Sequence, residues 1–168
     1  RYEKRSIYEQ LLNLTPTQKQ QLFQQLNESL YSDERYYTYK FIDRNCTTMV
    51  IDKVNTVLGA TEIDTKKPVE ISYREILYPY LENHFFEKLG INMIFGTKVD
   101  LPAERLFLPL EFIKSLEVAK TNNQLLAKPV NVIYEAPKNL YKPSVFNSIY
   151  TIIIVLGLIV LLRKKGIT

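Results

Sequence analysis

Asp43-Arg44-Asn45-Cys46-Thr47-Thr48-Met49-Val50-Ile51-Asp52 holds the only cysteine of a 168-residue chain. Upstream, Tyr36, Tyr37, Tyr39 and Phe41 alternate weakly between Arg35 and Ile42 and predict a short strand or extended segment. Downstream, Met49, Val50, Val54, Val57 and Leu58 recur at helical spacing up to Gly59, which predicts a helix over 46–58. Cys46 then falls in the first helical turn, with Asn45 as N-cap and the hydroxyls of Thr47 and Thr48 beside the sulfur. Unpaired N–H groups and the helix dipole favour a thiolate at such a place, and nucleophilic cysteines are commonly presented this way. A solitary cysteine is equally at home as a small buried hydrophobe, and spacing alone leaves both readings open.

Outward from this stretch, residues 3–12 and 16–31 read as helices. Thr15-Pro16-Thr17-Gln18 is a start signal for the second, with Thr15 as cap and Gln18 at the capping-box position. Leu22, Phe23, Leu26 and Leu30 give it one apolar stripe. Residues 61–70 read as a polar connector with Lys66, Lys67 and Pro68. Ser72-Tyr73-Arg74-Glu75 opens a helix running toward Leu89 and ended by Gly90, with Pro79 as an interruption. Phe107-Leu108-Pro109 leads into a helix over 110–119, and Val130-Asn131-Val132-Ile133-Tyr134 is the best later strand.

Composition narrows the class. One modest core fits the length, and the net charge of +4 is scattered without a basic, aromatic-laced patch, so no nucleic-acid partner is expected. Val145–Leu162 is uncharged and is followed by Arg163, Lys164 and Lys165. Eighteen residues at ~1.5 Å each predict a transmembrane helix over 145–162. Tyr141 and Tyr150 suit its outer interface, with a cytoplasmic tail over 163–168 and an extracytoplasmic domain over 1–140. Arg1-Tyr2-Glu3-Lys4 offers no signal peptide, so a removed leader or a longer parent protein is expected. Asp100 near Lys98 has no companion carboxylates, so neither a metal site nor a cofactor is expected.

Several blocks in order resemble one family. They are Leu12-Asn13-Leu14-Thr15, the tyrosine-rich approach from Tyr36 to Phe41, Asn45-Cys46-Thr47-Thr48 with Asp52, and Ser72-Tyr73-Arg74-Glu75-Ile76-Leu77. Gly90–Asp100 and Phe107-Leu108-Pro109 complete the set. Over about Arg5–Ala119 the chain resembles the Lnb-type N-terminal periplasmic domain family, Bacteroidota membrane proteins implicated in lipoprotein N-acylation. The resemblance implies the helix-rich part of an α+β, papain-like (NlpC/P60-related) thiol domain at the bacterial inner membrane. It implies a Cys46 thioester that carries an acyl chain from a phospholipid to a lipoprotein N-terminus. Two departures stand out. Arg44 occupies a position where the family pattern has aspartate, and no histidine precedes Cys46; the only one is His84.

A base is therefore expected in a segment before Arg1, or in His84 folding back onto Cys46. Without either, the domain is a non-catalytic scaffold for other membrane subunits. A cell-wall peptidase is the third alternative. Asn45, Thr47, Thr48 and Tyr39 are candidates to shape an oxyanion hole or lipid pocket. Asp52 lies six residues past Cys46, too far along one helix to touch it, and is expected to pair with Arg74 or Arg35.

Overall fold

The computed structural model describes residues 5–59, 63, 71–121, 123–137, 143–164 and 166. Strand β1 (Ile7–Glu9) comes first, then helix α1 (Pro16–Tyr31). The Gln18 N–H donates to Thr15 Oγ1 at 3.2 Å, and the Thr15 N–H donates back to Gln18 Oε1 at 2.9 Å, the reciprocal cap its sequence predicts. Helix α2 (Cys46–Leu58) follows, then α3 (Tyr73–Leu77), α4 (Phe85–Phe95) and α5 (Pro109–Val118). Strands β2 (Lys120–Thr121), β3 (Gln124–Leu125) and β4 (Asn131–Tyr134) precede helix α6 (Ile149–Lys164). The described residues are helix-rich, with two small antiparallel sheets, β1–β4 and β2–β3.

The chain separates into two compact units. Arg1–Pro68 with Glu104–Pro137 forms the first, and Val69–Ala103 with Lys138–Thr168 forms the second. In the first, Leu14, Val54, Leu58, Ile63, Leu116, Ala119, Leu126 and Ala127 make a buried cluster. Leu12, Leu22 and Phe112 pack against it, so one face of α2 and one of α5 are covered. In the second, Ser72 and Glu75 cap α3 reciprocally, and the Tyr73 N–H donates to the Leu101 carbonyl at 3.2 Å. The Arg74 guanidinium grips the Asp100 carboxylate through two bonds of 2.7 and 3.0 Å.

Four expectations need correction. Residues 3–12 form no helix among the described positions. Tyr8 lies opposite Val132 and Glu9 opposite Asn131, and the Asn13 N–H donates to the Leu126 carbonyl at 2.7 Å. A segment more than a hundred residues away satisfies this backbone, and tertiary pairing overrides the local spacing. Residues 35–42 form no strand: the run is extended at Tyr36 and turns from Phe41, because Lys40 bonds back to Arg44 and the tyrosine run finds no neighbouring strand. The interruption expected at Pro79 is a 3-10 turn over Tyr78–Leu81, where the proline lacks a donor, but the expected end at Gly90 is not found. The helix restarts at Phe85 and runs through Gly90 to Gly96, whose φ of 55° permits the stop.

The fourth is the transmembrane helix. No helix among the described residues is long and apolar enough to cross a membrane. Helix α6 has 16 residues, ~24 Å at ~1.5 Å each, against a bilayer core of ~30 Å. It starts at Ile149 because the preceding residues form a turn. The Asn147 N–H donates to the Ser144 carbonyl at 3.1 Å, the Ser148 hydroxyl donates to the Val145 carbonyl, and Asn147 Oδ1 accepts from the Phe86 N–H at 3.0 Å. Tyr141, Lys165, the stretch 64–70 and the opening residues 1–4 lie outside the described residues.

Leu126 is 1% exposed within the cluster, so Leu126→Ala is expected to cost about 2–5 kcal/mol in a denaturant titration. A change under about 0.5 kcal/mol would show that this core is not formed. Arg74 holds the Asp100 carboxyl below the usual carboxylate range, first through its hydrogen bond. A depressed carboxylate contributes stability above its unfolded value of about 3.9 and loses it as pH falls through the folded value. Asp100→Asn is expected to flatten the stability profile of the second unit below about pH 4, and an unchanged acid limb would refute the pairing.

Candidate thiol site

Cys46 is the first residue of α2 and is exposed. Its neighbours explain why. Asn45, Thr47 and Thr48 are 3%, 5% and 1% exposed, so the chain enters the helix with three polar side chains turned inward and the thiol outward. Asn45 supplies the cap: its Oδ1 accepts from the Thr48 N–H at 3.0 Å. The Asn45 N–H donates to Thr48 Oγ1 at 2.9 Å, and that hydroxyl donates to the Asn45 carbonyl at 3.0 Å. The regular helical ladder then begins with the Met49 N–H on the Asn45 carbonyl at 3.1 Å. The N–H groups of Cys46 and Thr47 precede both the cap and the ladder, as first-turn donors do.

The amide of Asn45 has a second task. Nδ2 donates to the Phe41 carbonyl and to the Phe107 carbonyl, both at 2.7 Å. Both amide hydrogens are therefore spent, and this side chain offers none to an oxyanion. Thr48 is likewise committed to Asn45. What these residues do is lock the turn before Cys46, the helix after it and the distant Phe107 segment into one piece. Phe107, 1% exposed, meets the edge of Phe41 at a ring separation of 5.8 Å.

Asp52 binds Arg105, through bonds of 2.6 and 2.8 Å to its two carboxylate oxygens, rather than Arg35 or Arg74. A second nitrogen of Arg105 donates to the Asp43 carbonyl at 3.3 Å, so one guanidinium braces the turn and the helix together. Both side chains are largely exposed, which limits such a pair to at most about 1 kcal/mol. Arg105 gave no local signal, since its partners lie 53 and 62 residues away. Phe107 was legible only as the start of a helix. Tyr39 is 57% exposed on the approach turn, and nothing among the described residues ties its hydroxyl to the thiol.

His84 belongs to the second unit, with Arg74. It precedes α4, and its Nδ1 lies 3.0 Å from Glu87 Oε1. A carboxylate only accepts, so this nitrogen carries the proton. The bond holds Glu87 below the usual carboxylate range, with Asn147 adding to it. The structure thus brings Asn45, Cys46, Thr47, Thr48 and Asp52 together in the first unit, which contains no histidine. Among the described residues no group of three His, Cys, Asp or Glu stands close enough to hold a metal.

Residues 1–78 match the family described as the Lnb N-terminal periplasmic domain. The matched stretch includes Cys46 and its cap and stops short of Arg105 and Phe107. No curated protein and no solved structure matches the chain.

Asn45→Ala removes a cap and leaves two buried carbonyls without donors, an expected loss of about 2–4 kcal/mol. Asn45→Asp is the sharper test. At an ordinary N-cap the two residues are interchangeable, whereas here aspartate sets a charge against the Phe41 and Phe107 carbonyls. It is expected to destabilise at least as much as alanine in thermal unfolding, and a neutral Asn45→Asp would refute the bridging role.

Proposed function

From the match of residues 1–78 to the Lnb N-terminal periplasmic domain family, we propose that this chain is a periplasmic thiol acyltransferase acting through Cys46. One observation carries the reading: the thiol is exposed at the first position of α2 while Asn45, Thr47 and Thr48 around it are buried and Asn45 and Thr48 are bonded to each other. A fixed, outward thiol beside two first-turn N–H groups has the parts that acyl transfer needs.

The chemistry follows in two steps. Cys46 Sγ bonds to the carbonyl carbon of a phospholipid ester, the ester C–O bond breaks, and the lysolipid leaves as an alcohol after gaining the thiol proton. The α-amine of a lipoprotein's lipidated cysteine then forms the amide, the thioester C–S bond breaks, and the sulfur regains a proton from the amine. The oxyanion in each step is assigned to the Cys46 and Thr47 N–H groups rather than to the Asn45 amide, whose hydrogens are taken. The first unit has no histidine, so a histidine acceptor for the Cys46 proton would come from outside it. Membrane lipid and lipoprotein are the partners this reading requires.

A membrane-associated scaffold is the second reading. It draws on exposed apolar side chains in the first unit, among them Phe23, Leu26 and Leu30 along α1. The thiol separates the two. After incubation with a phospholipid, Cys46 is expected to carry an acyl mass that hydroxylamine removes. Cys46→Ala is expected to lower N-acylation on the order of 10⁴-fold or more while the chain stays folded. Undiminished N-acylation with Cys46→Ala would sink the enzyme reading and leave the scaffold.

A further inference from the structure

We propose that Lys40 and Arg44 form the recognition element for a phosphate group on the substrate of Cys46. The inference rests on the acyltransfer reading and adds which residues choose the lipid. Lys40 and Arg44 face each other across a tight turn and exchange both backbone hydrogen bonds, each 2.9 Å. Residues paired in this way carry their side chains on one face of the ribbon, and like charges set opposite each other are destabilising. Among the described residues the Arg44 charge reaches Glu34 and helps hold its carboxyl below the usual range, after the bonds to Ser29 and Lys53. Glu34 is taken by Lys53 at 3.2 Å and Asp52 by Arg105 at 2.6 Å, while Lys40 and Arg44 are exposed and in no ion pair there. Asp43, inside the turn, is the carboxylate nearest in sequence. Two exposed cations held side by side, outside any ion pair of the described residues, suit an anion shared between them.

Three further features select phosphate and the thiol's own substrate. The Arg44 guanidinium lies over the Tyr37 ring, 5.4 Å from its centroid, which steadies it while its edge keeps the planar N–H fork that fits phosphate oxygens. Lysine adds a point charge of the kind common at phosphates. Arg44 is two residues before Cys46, so their Cα atoms are within about 7.6 Å. Asn45 between them is buried and bonded on both sides, so the turn and the thiol keep one geometry. A glycerophospholipid carries its phosphate and an acyl ester on neighbouring carbons. Cations this near the thiol therefore suit a lipid held by its headgroup with the ester presented to sulfur.

The test titrates the full chain with dihexanoylphosphatidylglycerol, with dihexanoylglycerol and with inorganic phosphate, following binding by calorimetry. The variants are Cys46→Ala, Lys40→Gln/Arg44→Gln and the conservative Lys40→Arg/Arg44→Lys. Support is salt-sensitive binding of the phospholipid that survives Cys46→Ala, falls at least about tenfold in the double glutamine variant and returns in the conservative one. Equal binding of the phosphate-free dihexanoylglycerol, or no loss in the glutamine variant with its fold intact by circular dichroism, overturns the proposal. Inorganic phosphate binding as tightly as the lipid overturns the lipid headgroup as its source. Charge-dependent lipid binding without any acyl mass on Cys46 would leave this site standing and remove the transferase reading instead.

Discussion

The hydrogen bonds of one buried amide hold the first unit's site together. Asn45 caps α2 through its oxygen and ties the Phe41 and Phe107 carbonyls through its nitrogen, all at 3% exposure. Each of these groups would be costly to bury unpaired, and a single side chain satisfies them at once. The thiol's outward direction follows from this. With Asn45, Thr47 and Thr48 committed to the interior, the helical turn leaves Cys46 facing solvent. The same commitment removes Asn45 and Thr48 from direct chemistry and makes them supports for whatever Cys46 does.

That support reaches far along the chain. Phe107 fills the space behind the approach turn, and Arg105 clamps the Asp43 carbonyl and the Asp52 carboxylate. Both lie beyond the part that matches the family, so the matched half holds the nucleophile candidate while the later half braces it. A site braced from one remote segment at two points keeps its geometry, which is what a reacting thiol and a fixed pair of cations both require.

Local chemistry was legible wherever a few adjacent residues decide the outcome. The reciprocal caps at Thr15 and Ser72 and the N-cap at Asn45 appear where their spacing predicts, because a cap involves only groups three residues apart. The same approach failed where distant groups compete. Residues 7–9 have helical spacing yet pair with β4, and the tyrosines before Cys46 have strand-like composition yet find no strand to pair with. The apolar run from Val145 is unbroken in sequence, but Asn147 accepts from the Phe86 N–H and the helix spans Ile149–Lys164.

By itself, the sequence determined that Cys46 heads a capped helix, that α1 begins at Pro16, and that residues 1–78 match a periplasmic domain family. Those features depend on neighbours along the chain, whose geometry the backbone largely dictates. Only the tertiary structure decided that Asn45 is a three-way bridge, that Asp52 answers Arg105, and that His84 is engaged by Glu87 in a different unit from the thiol. Hydrogen bonds and ion pairs between residues tens of positions apart form according to which surfaces pack, and no local periodicity records that choice.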